Sequence, residues 1–466
     1  MVSKDANGKC QIVPDSEQRE TRVGNMFLRA TIVLGVFLVA DTLPIASCAQ
    51  GAEQEVQYRQ ISLEDYRDKV AGGWVGQSIG VLWGQWTEFK WIGEMVPFDL
   101  EDWYQRKEPS EEFNQNAPSW QEDLDAYMDY HRTYNNDRQN WAKWTPDRMS
   151  DQDDLYVEFM FLHSIMKHGL DVTATEMAED WLAYLRSDRV WGANQEAYQN
   201  FTAGIWPPRS GHPHNTIYPD AIDFQIESDL FGLINPGMPR ISNAWCDKVG
   251  HMMNYGDGVY AGMAVAAMHG EAFFEKDPRK LAEYSLKAIP AESNQAKMIR
   301  DVLDLHQQYP DWQDAWKALQ PKWWLKDGEP VMKLDVRING AYVYLGLLYG
   351  EGDFWKSMNI AMRCGLDSDC NPSTVAGILG TALGMSGIPK KWAIVRDLPI
   401  ENRSIKDIYP ESIAWEDIID ATVEAGRWNI LQHGGYVENG LIYIPHQTPT
   451  SPPLEQTAWV ELPENE

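Results

Sequence analysis

The stretch AMRCGLDSDCNPSTVAGILGTALG, residues 361–384, sets Asp367 and Asp369 between a glycine and an Asn-Pro pair. An uncharged run of tiny and apolar residues follows. Asn371 suits an N-cap, and Pro372 suits the first helical position, where a missing N–H costs nothing. The run therefore reads as a helix over 372–386 whose free N–H groups face the aspartate loop. Ala376, Gly377, Gly380, Ala382 and Gly384 carry little bulk, so neighbouring helices can approach closely. A helix packed that deep takes its leading loop inside, where paired carboxylates require a counter-charge. Arg363 is the nearest basic residue in sequence, and a divalent cation is the other obvious partner.

A second acidic group stands in MSDQDDLYVEF, residues 149–159, with Asp151, Asp153 and Asp154 directly before a helix expected from Leu155. Leu155, Phe159, Leu162 and Met166 make one apolar stripe, and Val157 and Phe161 extend it to the other side. A helix apolar nearly all round belongs at the centre of a large helical domain. Acids at a helix start also serve as dipole-favoured charge, which is the plainer explanation for one such cluster alone. Two clusters, each opening a core helix, point further. Hard oxygen donors of this kind select Mg²⁺, with Ca²⁺ or Mn²⁺ as alternatives, and no HExxH or closely spaced Cys/His set suggests zinc. Asp257, between two glycines in NYGDGVY, is either a loop carboxylate that reaches substrate or a turn residue with local hydrogen bonds. Glu158 is a charge inside the most apolar helix. His212 and His214 sit in a proline-rich loop and read as surface residues.

The rest of the chain predicts helices over 63–82, 121–134, 174–187, 258–274, 278–289, 293–307, 337–349, 353–363 and 415–430. Strand signals are scarce; YVENGLIYIP, with Asn439-Gly440 between alternating apolar residues, is the clearest hairpin. The expected fold class is all-α: one large helical domain over 56–446 with a small C-terminal β-hairpin. The Pro-rich segment 447–466 reads as a tail that wraps the surface or stays mobile.

Forty basic against sixty-nine acidic residues give a net charge of -29, which repels nucleic acid and anionic lipid. The 21 tryptophans fill cores and also stack on sugars and bases. Residues 1–49 read as an N-terminal extension and leader. Arginines precede the short apolar run Ala30–Ala40, and small residues follow around Ser47-Cys48-Ala49. The implied location is secreted, periplasmic or lipid-anchored, with membrane attachment only through a lipidated Cys48. Cys246, Cys364 and Cys370 make no disulfide framework.

GLDSDCNPSTVAGILGTALG resembles the "GGDTDT" signature and small-residue helix of the ADP-ribosylglycohydrolase family. DQDDLYVEFMFL resembles that family's "TDDT" and following helix, and AGGWVGQSIGVLWG (71–84) its Gly-rich first helix. DLFGLINPGMP (229–239) and GDGVYAGMAVAAM (256–268) are similar to intermediate family segments. The resemblance implies an all-α fold, a centre of one or two Mg²⁺ ions, and hydrolysis of a glycosidic bond to ADP-ribose. By position it assigns Asp153, Asp154, Asp367 and Asp369 to the metal. Gln152 and Cys370 take the places of the family's threonine ligands and are counted with the candidate metal set. Gln77 stands for the first-helix aspartate and Glu88 is nearest to the family's glutamate; both, with Gly365, are placed at the substrate.

The chemistry these residues permit is a glycosidic cleavage in which a cation orients sugar hydroxyls and a carboxylate beside it, with Asp153 the candidate, activates water; Asp154 and Asp257 complete the catalytic candidates. A small-molecule or glycan substrate follows. Other readings are a metal-independent α/α-barrel glycosidase, a terpenoid-synthase-like enzyme reading DDLYVE as a diphosphate motif, and a non-catalytic binding protein on the same fold.

Overall fold

The computed structural model describes residues 57–119, 124–324 and 333–455, together with two short strands near the N-terminus. The chain divides into two units, residues 1–55 and 56–466. In the first, Val2–Lys4 pairs antiparallel with Cys10–Ile12. The leader and Cys48 lie outside the described residues. The second unit is mainly α-helical, as expected, with small two- and three-stranded sheets at its periphery.

Its axis is the pairing of the first helix, Leu63–Gly84, with the small-residue helix, Cys370–Leu383. Gly72, Gly76, Gly80 and Gly84 recur every fourth residue and so form one ridge along the first helix. A methyl group on them would lie 2.2 Å from the Gly380 carbonyl oxygen, 2.2 Å from that of Ala376, 2.3 Å from that of Pro372 and 2.4 Å from that of Ser368. The partners descend as the glycines ascend, so the helices run antiparallel with backbones touching. The C-terminal end of the first helix is thereby laid against the aspartate loop.

The small-residue helix starts at Cys370, earlier than expected, with Asp369 as N-cap. The carbonyls of Asp367 and Asp369 accept from Asn371 N at 3.1 Å and Ser373 N at 3.0 Å, so the first turn begins inside the aspartate loop. Asn371 does not cap; its amide donates to Asn339 Oδ1 at 2.9 Å. The central helix, Asp153–His168, is buried along most of its length, as its all-round apolar pattern requires.

Helices Gly192–Thr202, Pro239–Gly250 and Trp312–Trp323 were not expected. Gly192 and Pro239 look like loop punctuation in sequence, yet each opens a helix, Pro239 in the first turn where proline is tolerated. The long connections 88–120 and 135–152 meet in a ladder, Tyr104–Arg106 against Trp141–Lys143. Trp86, Trp144, Trp103, Trp392 and Trp83 fasten this region in a chain of edge contacts, with centroids 5.4 to 6.4 Å apart.

The expected hairpin is present as Tyr436–Glu438 and Leu441–Pro445, with Asn439 and Gly440 at positive φ. The sequence reading missed a third strand: Tyr58–Ser62 pairs with Leu441–Pro445, closing the two ends of the domain on each other. The tail is docked through residue 455. Gln447 Oε1 accepts from Arg240 N at 3.2 Å, the Thr450 carbonyl from Asn243 Nδ2 at 3.1 Å, and Glu455 binds His251 Nε2 at 2.6 Å. Cys246, Cys364 and Cys370 are buried free thiols.

Candidate metal centre and active site

Two helix N-termini meet at the aspartates. Ligand atoms of Asp153, Asp154 and Cys370 lie within 4.8 Å of one another, and so do those of Asp367, Asp369 and Cys370. The Cys370 thiol joins the two sets, donating to Asp154 Oδ2 at 3.2 Å. Acids more than two hundred positions apart in sequence thus form one cluster. Asp154 is fully buried, Asp367 and Asp369 are 3% exposed, and Asp153 is half-buried at the solvent edge.

The electrostatics are unbalanced. Arg363 pairs with Asp99 at 2.7 Å and Arg189 with Asp151 at 3.1 Å. Among the described residues, neither these nor any other basic side chain pairs with Asp153, Asp154, Asp367, Asp369 or Glu88. Asp154 Oδ1, Asp367 Oδ1 and Asp369 Oδ1 are buried and accept no hydrogen bond. Burial, reinforced by neighbouring carboxylates, holds Asp154 and Asp369 well above the usual carboxylate range and pushes Asp367 up to about 8. The charge of Asp369, then burial, pushes Glu88 up to about 8, with Lys90 opposing. Gathered carboxylates with an unpartnered oxygen each and no counter-ion are what a hard divalent cation suits, and the residues present fit one.

The remaining expected residues occupy various places. Gln152 is N-cap to the central helix, but its amide donates to Ser150 Oγ at 3.1 Å. Gln77 is buried behind the cluster, 3.3 Å from Glu158 Oε2 and 3.4 Å from the Asp154 carbonyl, where it braces the central helix. Gly365, at φ +84°, allows close approach of the Trp91 and Glu94 carbonyls; a methyl group there would meet them at 2.6 and 2.3 Å. Its contacts are thus with backbone. Asp257 is not among the clustered ligands, and it opens the helix Asp257–Ala272 instead of standing in a loop as expected. It is 7% exposed and accepts from Gln295 N at 2.9 Å at the start of the helix Asn294–Gln308. His212 is buried beside His214 and Tyr255, not a surface residue, because the proline-rich loop folds inward over it.

Sequence reasoning missed Asp223 and Glu227. Both are buried acids, raised first by burial and also by the charge of Asp153. Asp223 Oδ1 accepts from Asn194 N at 3.1 Å, and Glu227 Oε1 from Asn194 Nδ2 at 2.5 Å. Behind the centre runs a buried line in which Glu158 was legible in the sequence and Asp229, His269 and Thr381 were not. Glu158 accepts from Leu230 N at 2.8 Å, Asp229 Oδ2 lies 3.0 Å from His269 Nε2, and His269 Nδ1 lies 3.0 Å from Thr381 Oγ1 on the small-residue helix. The segment DFQIESDL (223–230) contains three acids but lacks the loop-then-helix pattern that marked the other clusters. A cleft of about 560 Å³ lined by Arg186, Arg189, Arg403, Lys406 and Tyr409 contains none of the clustered aspartates.

Among curated proteins no match is found. A solved structure described as an ADP-ribosylglycohydrolase-related protein complex is similar at 13% identity and a TM-score of 0.46, over 78% of this chain and 99% of that one. The sequence model of ADP-ribosylglycohydrolase matches residues 62–415, from the cap of the first helix past both aspartate loops. That span takes in most of the helical domain, and the chain belongs to the ADP-ribosylglycohydrolase family.

Proposed function

We propose that this hydrolase cleaves a glycosidic bond to ADP-ribose or to another ribosyl or sugar group, depends on a bound divalent cation, and works outside the cytoplasm. The observation that carries the reading is the set of buried, partnerless oxygens on Asp154, Asp367 and Asp369. These three residues, with Asp153, would hold Mg²⁺. When bound, such an ion orients vicinal sugar hydroxyls and stabilises charge at the reacting centre. Asp153, the half-buried member of the cluster, takes the proton from the attacking water at its carboxylate. Glu88, half-buried across from Asp369, accepts a hydrogen bond from a substrate hydroxyl. The leader-like residues 1–49 support export.

The test is a substrate panel with and without Mg²⁺: ADP-ribosyl-arginine, ADP-ribosyl-serine, ribosides and aryl glycosides. Chelator-sensitive hydrolysis of one class is expected, and Asp153→Asn should lower its kcat about 10²–10⁴-fold. Turnover undiminished in EDTA overturns the metal-dependent reading.

A further inference from the structure

Trp191 stands apart from the other tryptophans. Among the described residues it is the one exposed indole, at 59%, while Trp74, Trp83, Trp91 and Trp181 are fully buried. An exposed tryptophan is ordinary when its surroundings are ordinary. Here the residues on both sides of it are tied to the acidic site. The segment 189–194 is strapped to that site at both ends. Arg189 pairs with Asp151 at 3.1 Å, two residues before Asp153, and its carbonyl accepts from Tyr156 OH at 2.5 Å. At the other end Asn194 binds Asp223 and Glu227, the two acids that feel the charge of Asp153. Between the anchors Gly192, at φ +52°, leaves room for Asp223; a methyl group would lie 2.8 Å from its Oδ1. Trp191 therefore rides on a strap held by hydrogen bonds and an ion pair, and its rigid indole is left in solvent.

We propose that Trp191 is a substrate-stacking residue: its indole receives the flat face of a ring attached to the sugar unit held at the aspartates. A flat apolar face is offered by a sugar ring or by a nucleobase, and an indole stacks on either. This inference rests on the functional reading above and adds the residue that discriminates among its substrates.

The test is ¹⁹F NMR of protein labelled with 5-fluorotryptophan, with the Trp191 resonance assigned by its loss in Trp191→Phe. Adenosine, ADP-ribose, p-nitrophenyl ribofuranoside and p-nitrophenyl glucopyranoside are titrated in Mg²⁺. At least one should move the resonance, and whether adenosine or the glycosides do so identifies the ring. Affinity for that probe should fall about tenfold in Trp191→Ala and recover in Trp191→Phe, while the Mg²⁺-induced melting shift is kept. A resonance moved by none of the four, or wild-type affinity in Trp191→Ala, overturns the proposal. If the resonance moves but no member of the substrate panel described above is hydrolysed, the subsite stands and the proposed activity falls.

Discussion

Ser368, between the two loop aspartates, places its hydroxyl 2.8 Å from that of Thr87, so the loop is pinned to the end of the first helix. Asp367 and Asp369 thus cannot swing out to solvent to relieve their charge. Removing one charge from such a group relieves repulsion in the empty site and removes a ligand from the filled one. Asp367→Asn is therefore expected to melt no lower than wild type in EDTA, and to lose the Mg²⁺-induced gain. That gain is about 2.7 kcal/mol at a hundred times the dissociation constant. Thermal melts with and without Mg²⁺ measure both. A variant that melts far below wild type in EDTA would show the aspartate to be structural.

Elements set how closely these residues meet. Antiparallel contact of the first and small-residue helices depends on glycine at each crossing, and a methyl group at Gly76 would collide with backbone that cannot move aside. Gly76→Ala should cost about 1–3 kcal/mol in urea unfolding. It should also weaken Mg²⁺ binding, because Gly84 at the far end of the same helix touches Asp369. Unchanged stability would show that the helices can part without loss. The docked tail is a second case. His251 is enclosed by Asp247, Tyr255, His212 and Glu455. Burial, the largest single influence, lowers its pKa, but the hydrogen bond and charge of Glu455 together with the carbonyl and carboxylate of Asp247 raise it overall above 6.5. A raised histidine contributes stability that is present below its unfolded pKa and lost as pH rises through the folded value. Proteolysis of the tail should therefore quicken as pH rises above 6.5. In Glu455→Gln it should be fast throughout, and a pH-independent rate in wild type would remove the latch.

For the whole molecule, the domain reaches beyond the family match of 62–415. The helix Trp415–Gln432 packs into the core: Thr422 accepts from Trp74 Nε1 at 3.0 Å, and Asn429 donates to Asn235 at 2.8 Å. Leu441–Pro445 is the middle strand that holds both Tyr58–Ser62 and Tyr436–Glu438. A chain cut to residues 63–415 loses all of these, so it should lack a cooperative melt by circular dichroism. A chain ending at 446 should keep one. A cooperative, Mg²⁺-responsive 63–415 fragment would contradict the architecture.

The sequence by itself determined the helical class, the two acidic loops and the hairpin at Asn439-Gly440. Each is written in neighbouring residues: a 3.6-residue apolar period, acids at a helix start, a turn that needs positive φ. Only the tertiary structure decided that the loops share one cluster, that Asp257 is outside it while Asp223 and Glu227 adjoin it, and that Tyr58–Ser62 closes on Leu441–Pro445. Those facts depend on backbone contact between helices some three hundred residues apart, and that distance carries no local signal. The glycine ridge at 72, 76, 80 and 84 was legible as spacing, but its partner was not, because a ridge specifies a close neighbour without naming it.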